Sequence, residues 1–229
     1  MKTIYLIIPL VCLAASLLVG LAGKKIGRIS CHTAAIGAVA VAFGLSVFVA
    51  IEVAAGARFD ESIYIWAISD GIKFEIGFLI DELSAVMMVV VTFVSLMVHI
   101  YTVGYMREDP GYARFFSYIL LFTFAMLILV MSNNFLQLFF GWEAVGLVSY
   151  LLIGFWFERE SATFANLKAF LVNRVGDLGF LLGIAAILYV FGTLDYAAVF
   201  ASAPQHVDRT VIGILGNQWS WLTVICLMS

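Results

Sequence analysis

The chain has 229 residues, of which 64% are hydrophobic and only 12% charged, against about 25% charged in soluble domains. With a mean hydropathy of +1.08, a soluble fold is excluded, because a soluble chain cannot bury that much apolar surface. The net charge of −3 is small, and no aromatic-basic patch points to nucleic acid.

Apolar runs long enough to cross a bilayer, at roughly 20 residues each, fall at about 4–22, 32–54, 79–103, 115–131, 134–157 and 165–191. The first follows Met1-Lys2-Thr3 and is succeeded by Gly23-Lys24-Lys25 instead of a small-residue cleavage site, so it reads as a retained span. Between the second and third spans, Ile63-Tyr64-Ile65-Trp66-Ala67-Ile68 and Ile72-Lys73-Phe74-Glu75-Ile76-Gly77-Phe78 flank Ser69-Asp70-Gly71. Two β-rich arms around an Asp-Gly turn predict a hairpin that caps helix ends or touches a neighbour. A seventh apolar run opens near 211 and is still apolar at Ser229, so that helix is expected to continue beyond the chain. The fold expected is all-α: a polytopic transmembrane bundle of six full spans and a truncated seventh, with a small external β-hairpin, forming one membrane domain over residues 1–229.

Lys24, Lys25, Arg28, Arg107, Arg114, Arg159 and Lys168 fall on one side of this topology, and Lys2, Arg58, Lys73 and Arg209 on the other. The richer side is expected to be cytoplasmic, which puts the N-terminus outside or in the periplasm.

Glu143 is the one formally charged side chain between Arg114 and Glu158. It lies about 13 residues from the cytoplasmic end of span five, or roughly 20 Å deep. Charge at that depth costs several kcal/mol unless a partner or water offsets it, so such a residue is a functional candidate by default. In span six, Arg174 and Asp177 lie at roughly 14 and 18 Å, within side-chain reach of Glu143 if the right faces meet. Glu143, Tyr150 and Gly154 share one face of span five. Asn173, Arg174 and Asp177 share one of span six. Each candidate also has a structural reading. Glu143 could hydrogen-bond a neighbouring helix, and Arg174 with Asp177 could lock helices or subunits together. Lys168 could snorkel to the headgroups, and His99 could be a helix-end or interfacial histidine.

Cys12, Cys31 and Cys226 lack metal or redox spacing and read as buried small hydrophobes. The histidines are too dispersed for a metal site. Walker A, dinucleotide-binding and HExxH patterns are missing from the sequence.

Several segments together carry a resemblance. They include Asp81-Glu82-Leu83-Ser84, His99-Ile100-Tyr101, Gly104-Tyr105-Met106-Arg107 and Tyr112-Ala113-Arg114-Phe115-Phe116. More specific are Gly141-Trp142-Glu143-Ala144-Val145-Gly146-Leu147, Lys168-Ala169-Phe170 and Asn173-Arg174-Val175-Gly176-Asp177. The chain resembles the first third of the large antiporter-like L subunit of bacterial NADH–quinone oxidoreductase, respiratory complex I. That resemblance implies a proton-translocating subunit of a bacterial inner membrane, with Glu143, Arg174, Asp177 and Lys168 in a proton relay and His99 at a helix end or proton entry. It implies that the glutamate's partner lysine lies on span seven, beyond Ser229. NADH, FMN, iron–sulfur clusters and quinone are expected in other subunits, with no redox site or cofactor in this chain. Implied partners are other membrane subunits, above all a neighbouring antiporter-like one, and the lipid bilayer. A subunit of a multisubunit sodium/proton antiporter or of a membrane-bound hydrogenase is the alternative, and a non-transport membrane scaffold is the alternative of another class.

Overall fold

A computed structural model describes residues 1–69, 72–205, 210–214 and 217–220. The first helical stretch, Lys2–Ala54, is broken at Gly27. Its φ of 80° lies where a side chain would clash with the backbone. The break divides two apolar spans, α1 (Lys2–Gly23) and α2 (Lys25–Ala54). They fold back on each other. Tyr5, Ile8 and Cys12 share one core cluster with Ala42, Val49 and Val53, and Val19 shares another with Cys31, Ala35 and Val39. Cys12 and Cys31 are fully buried free thiols, packed like small hydrophobes.

Strands β1 (Phe59–Ser69) and β2 (Ile72–Ile80) follow, paired antiparallel from Ser69↔Ile72 to Phe59↔Ile80. This is the expected hairpin, with arms a few residues longer than the β-rich runs. Its turn at 70–71 lies outside the described residues. The remaining spans are α3 (Glu82–Tyr105), α4 (Tyr112–Val130), α5 (Phe135–Ile153) and α6 (Glu160–Phe191). The short helix α7 (Tyr196–Ser202) closes the described helical part. All six long helices are apolar and long enough to cross a membrane. The chain is a multi-pass membrane protein.

Helix limits follow local chemistry. The third apolar run begins at 79, but the helix begins at Glu82, because Leu79 and Ile80 pair in the hairpin. Asp81 then caps the helix: its carboxylate accepts from the Ser84 amide at 2.8 Å, and the Ser84 hydroxyl accepts from the Asp81 amide at 2.8 Å. Asn134 caps α5 by accepting from the Gln137 amide at 2.8 Å.

The seventh span is not found where its apolar run opens. Residues Thr210–Ile214 and Asn217–Ser220 form two short antiparallel strands, β3 and β4. The run Thr210-Val211-Ile212 is β-branched and is followed by Gly213, a composition that suits a strand better than a helix. Residues 221–229, which carry the rest of that expected span, lie outside the described residues.

The hairpin and the basic end of the bundle sit at opposite ends. At the hairpin end, Phe78 and Ile80 are buried with Tyr5, Met88, Leu127 and Met131. The Leu79 amide donates to Met131 O at 2.9 Å, and the Gly77 amide to Gln137 Oε1 at 2.9 Å. The hairpin therefore covers the junction of α4 and α5. Between the ends, α1 and α4 cross closely at small residues, where each of Ser16 and Ser117 donates its hydroxyl to the other's carbonyl, at 2.8 and 2.9 Å.

Candidate functional site

Helices α5 and α6 run antiparallel and meet along the face read from the sequence. Gly154 leaves room for Asn166. The Tyr150 ring packs edge-on against Phe170 at 5.3 Å, and Glu143 meets Arg174. One helical turn further on, Phe139 and Trp142 pack on Phe180 at 5.9 and 6.0 Å. The 3.6-residue period of each helix puts these positions in register, so the charges meet at mid-span.

The Arg174 guanidinium donates from Nη1 to Glu143 Oε2. The same nitrogen is 3.5 Å from Asp177 Oδ2. The other Asp177 oxygen accepts from the Trp142 indole at 2.7 Å. The Phe170 ring lies under the guanidinium, 4.9 Å away, which adds a cation–π contact. The side chains of Arg174, Glu143 and Asp177 are 37, 23 and 12% exposed. One cation is thus shared by two carboxylates on facing helices. Its planar fork can bond either one. A proton added to either carboxylate would balance the cluster.

Of the residues marked in the sequence, Glu143, Arg174 and Asp177 are brought together. Glu143 is therefore not the unpaired carboxylate that its sequence neighbourhood suggests, because Arg174 supplies a cation within the chain. Lys168 is not in the cluster. It is exposed on α6, half a helical turn away from Asp177 in azimuth, and makes no ion pair or hydrogen bond among the described residues. Helix α6 starts at Glu160, and both about 9 Å of helical rise and the direction of its side chain separate Lys168 from Arg174.

His99 is not an interfacial or helix-end residue. It is fully buried, six residues inside the end of α3, with its ring 5.9 Å from Phe116 of α4. Its Nδ1 lies 2.8 Å from Ser95 O, and Nε2 is buried with no hydrogen-bond partner among the described residues. Ser95 also shares a 2.6 Å hydrogen bond with Thr123 of α4. Thr92, Ser95, His99 and Thr102 recur at three- and four-residue steps, so this polar stripe turns inward as a unit. Two contributors went unread in the sequence: Trp142 as the donor to Asp177, and Phe170 as the floor beneath Arg174. The available signals were the placement of Phe170 one helical turn before Arg174 and of Trp142 beside Glu143 in sequence. Among the described residues, no group of three acidic, histidine or cysteine side chains could hold a metal ion.

Two family models match the chain: "NADH-Ubiquinone oxidoreductase (complex I), chain 5 N-terminus" over residues 66–116 and "NADH:quinone oxidoreductase/Mrp antiporter, TM" over residues 132–228. An NADH-quinone oxidoreductase subunit L from Neisseria meningitidis is 60% identical over 99% of this chain. The chain belongs to the L-subunit family of NADH–quinone oxidoreductases. It spans about a third of the length of these relatives, 34% of the Neisseria protein. NADH-ubiquinone oxidoreductase chain 5 of Dictyostelium discoideum is 38% identical over 98% of this chain and 33% of its own length. The L-subunit fold extends to more distant complexes. The Mrp complex of Dietzia sp. DQ12-45-1b superposes with a TM-score of 0.76 at 21% identity, covering 99% of this chain and 23% of that one. An archaeal membrane-bound sulfane sulfur reductase gives 0.76 at 18%, covering 88% and 40%.

Proposed function

We propose that this chain is the N-terminal part of the proton-translocating L subunit of an NADH–quinone oxidoreductase in a bacterial inner membrane, and that Glu143, Arg174 and Asp177 form a charge-switched proton site within it. The observation that carries the reading is the single Arg174 guanidinium lying between two carboxylates on facing helices. A carboxylate in low dielectric gives up its proton when a cation adjoins it and takes one when the cation leaves. Arg174 needs only a rotamer change to pass from Glu143 to Asp177. On Glu143 it holds that carboxylate ionised. On Asp177 it leaves Glu143 to accept a proton, and its return expels it. Trp142 holds Asp177 in place throughout, and Phe170 gives the guanidinium a surface to slide over.

In this reading, the redox chemistry of NADH, flavin, iron–sulfur clusters and quinone belongs to other subunits, and this chain supplies only the proton step. A neighbouring antiporter-like subunit would lie against the apolar outer face of α6. The basic ends at Arg28, Arg107, Arg114 and Arg159 would face the cytoplasm, with the N-terminus outside. Lys168 is assigned to headgroup anchoring and His99 to the α3–α4 core.

The test is Glu143→Gln in the assembled complex, in inverted vesicles. NADH oxidation should persist while proton uptake per NADH falls several-fold. Uptake at the wild-type ratio would return the cluster to a purely structural role. A sodium/proton antiporter subunit remains the second reading, favoured by the matching model shared with Mrp antiporters. It requires sodium-dependent proton movement without NADH.

A further inference from the structure

At the basic end, a cavity of about 630 Å³ opens between the start of α4, the loop after α5 and the start of α6. Its charged lining is Asp109, Arg114, Glu158 and Arg159. Among the described residues, neither guanidinium has a carboxylate within ion-pairing distance. Arg114 instead donates to Phe155 O at 3.2 Å and lies 4.5 Å over the Phe155 ring. Arg159 lies 5.2 Å over the Trp156 ring. Asp109 is satisfied by neutral donors: the Gly111 amide at 2.6 Å and the Trp156 indole at 2.9 Å. The cavity thus holds two cations and two carboxylates with no ion pair among them, and of the carboxylates only Glu158 has no hydrogen bond among the described residues. Gly111 and Arg159, both in the cavity lining, are also the N-caps of α4 and α6, and neither makes a side-chain cap hydrogen bond among the described residues.

Trp156 also forms one end of an apolar groove of about 660 Å³ between α3 and α4. The groove runs from Tyr105 and Phe115 past Val98, Val94 and Met126 to Met87, away from the basic end toward mid-membrane. A polar cavity of both signs at the interface thus joins a long apolar channel in the bilayer.

We propose that this is a phospholipid site for a headgroup carrying a phosphate and a primary amine, phosphatidylethanolamine. Arg114 and Arg159 take the phosphate, Glu158 takes the ammonium, and one acyl chain lies in the α3–α4 groove. A phosphodiester suits two guanidinium forks. The ammonium suits a free carboxylate, which a trimethylated choline could not hydrogen-bond. Trp156 and Phe157 stand at the headgroup level, where amphipathic rings concentrate.

The experiment is native mass spectrometry of the full chain in detergent, with dioleoyl phosphatidylethanolamine, phosphatidylcholine or phosphatidylglycerol added at equal concentration. Retention of phosphatidylethanolamine should exceed that of phosphatidylcholine by about fivefold, one charge-assisted contact. Glu158→Gln should level the two. Arg114→Gln with Arg159→Gln should weaken retention of all three lipids by about 25-fold, about fivefold per basic residue. The paired lysine variant should restore it, which guards against misfolding. Val94→Trp, which fills the groove, should abolish the preference for dioleoyl over dihexanoyl chains. Equal retention of all lipids by wild type and the glutamine variant overturns the site. So does displacement of bound lipid by inorganic phosphate mole for mole, which would make the cavity a free-phosphate site. A wild-type preference for phosphatidylglycerol overturns the role of Glu158.

Discussion

Trp142 and Asp177 are joined across the α5–α6 crossing by a 2.7 Å indole-to-carboxylate hydrogen bond. The bond ties up one oxygen of Asp177 and leaves the other facing Arg174. Hydrogen bonds to charged groups contribute about 1.5–3 kcal/mol. A double-mutant cycle of Trp142→Phe and Asp177→Asn, followed by thermal unfolding in detergent, should therefore give a coupling of about 1.5 kcal/mol. Additive effects would mean that the bond does not hold Asp177.

Arg174 should prove costly to remove by itself. Arg174→Met strands Glu143 and Asp177 without a cation, and breaking a buried pair from one side costs about 3–5 kcal/mol. The side chains here are partly exposed, and solvent screening puts the expected loss below that range, about 2–3 kcal/mol. Adding Glu143→Gln and Asp177→Asn should restore most of that stability without restoring proton transport. If transport returned with stability, the charges would be scaffolding and not a relay.

Gly141 and Gly146 lie on the same helix and should respond oppositely to alanine. A methyl group on Gly141 would lie 2.8 Å from the backbone Cα of Leu129 in α4, which cannot swing aside. Overpacking of this kind costs about 1–3 kcal/mol. Nothing lies within 4 Å of a methyl group on Gly146, and alanine there should gain up to about 1 kcal/mol from helix propensity. Unfolding midpoints of the two variants settle the comparison.

His99 should carry hydrogen on Nδ1. A backbone carbonyl can only accept, and Nδ1 lies 2.8 Å from Ser95 O. Nitrogen-15 solid-state NMR of the labelled ring should place Nδ1 in the protonated range. A pyridine-type shift there would mean that the ring is turned over in the membrane.

The six spans were legible because span length is fixed by bilayer thickness, and the hairpin because β-branched and aromatic runs flank an Asp-Gly turn. The meeting of Glu143 with Arg174 was legible too, from similar depth on consecutive helices and the polar face of each. Other features depend on which neighbour a face meets, which one helix's period does not encode. His99 lies near a helix end in sequence yet faces α4. Lys168 shares a helix with the cluster but lies about 9 Å nearer the helix start than Arg174 and points away from it. Trp142 carries no charge, so its sequence position does not mark it as a donor until α6 is placed beside it. The β-branched start of the seventh apolar run shows a related limit: hydropathy measured its length but not its backbone preference.

The two ends of α5 are held very differently. At Asn134 the chain is tied to the hairpin through Glu75 O, to the segment after α6 through the Asn134–Asp195 bridge, and to Leu194 O through the Phe135 amide at 3.0 Å. At the other end, the loop after Ile153 is held by side chains: Arg114 donates to Phe155 O at 3.2 Å and the Trp156 indole to Asp109 at 2.9 Å. The backbone pairings make the Asn134 end the fixed pivot, and the side-chain contacts make the other end the adjustable one. Glu143 stands about 13 Å from the pivot and Ile153 about 28 Å, at 1.5 Å per residue. A tilt of α5 imposed at its cytoplasmic end would reach Glu143 at roughly half its amplitude, so a push of about 2 Å there would move the carboxylate about 1 Å relative to Arg174.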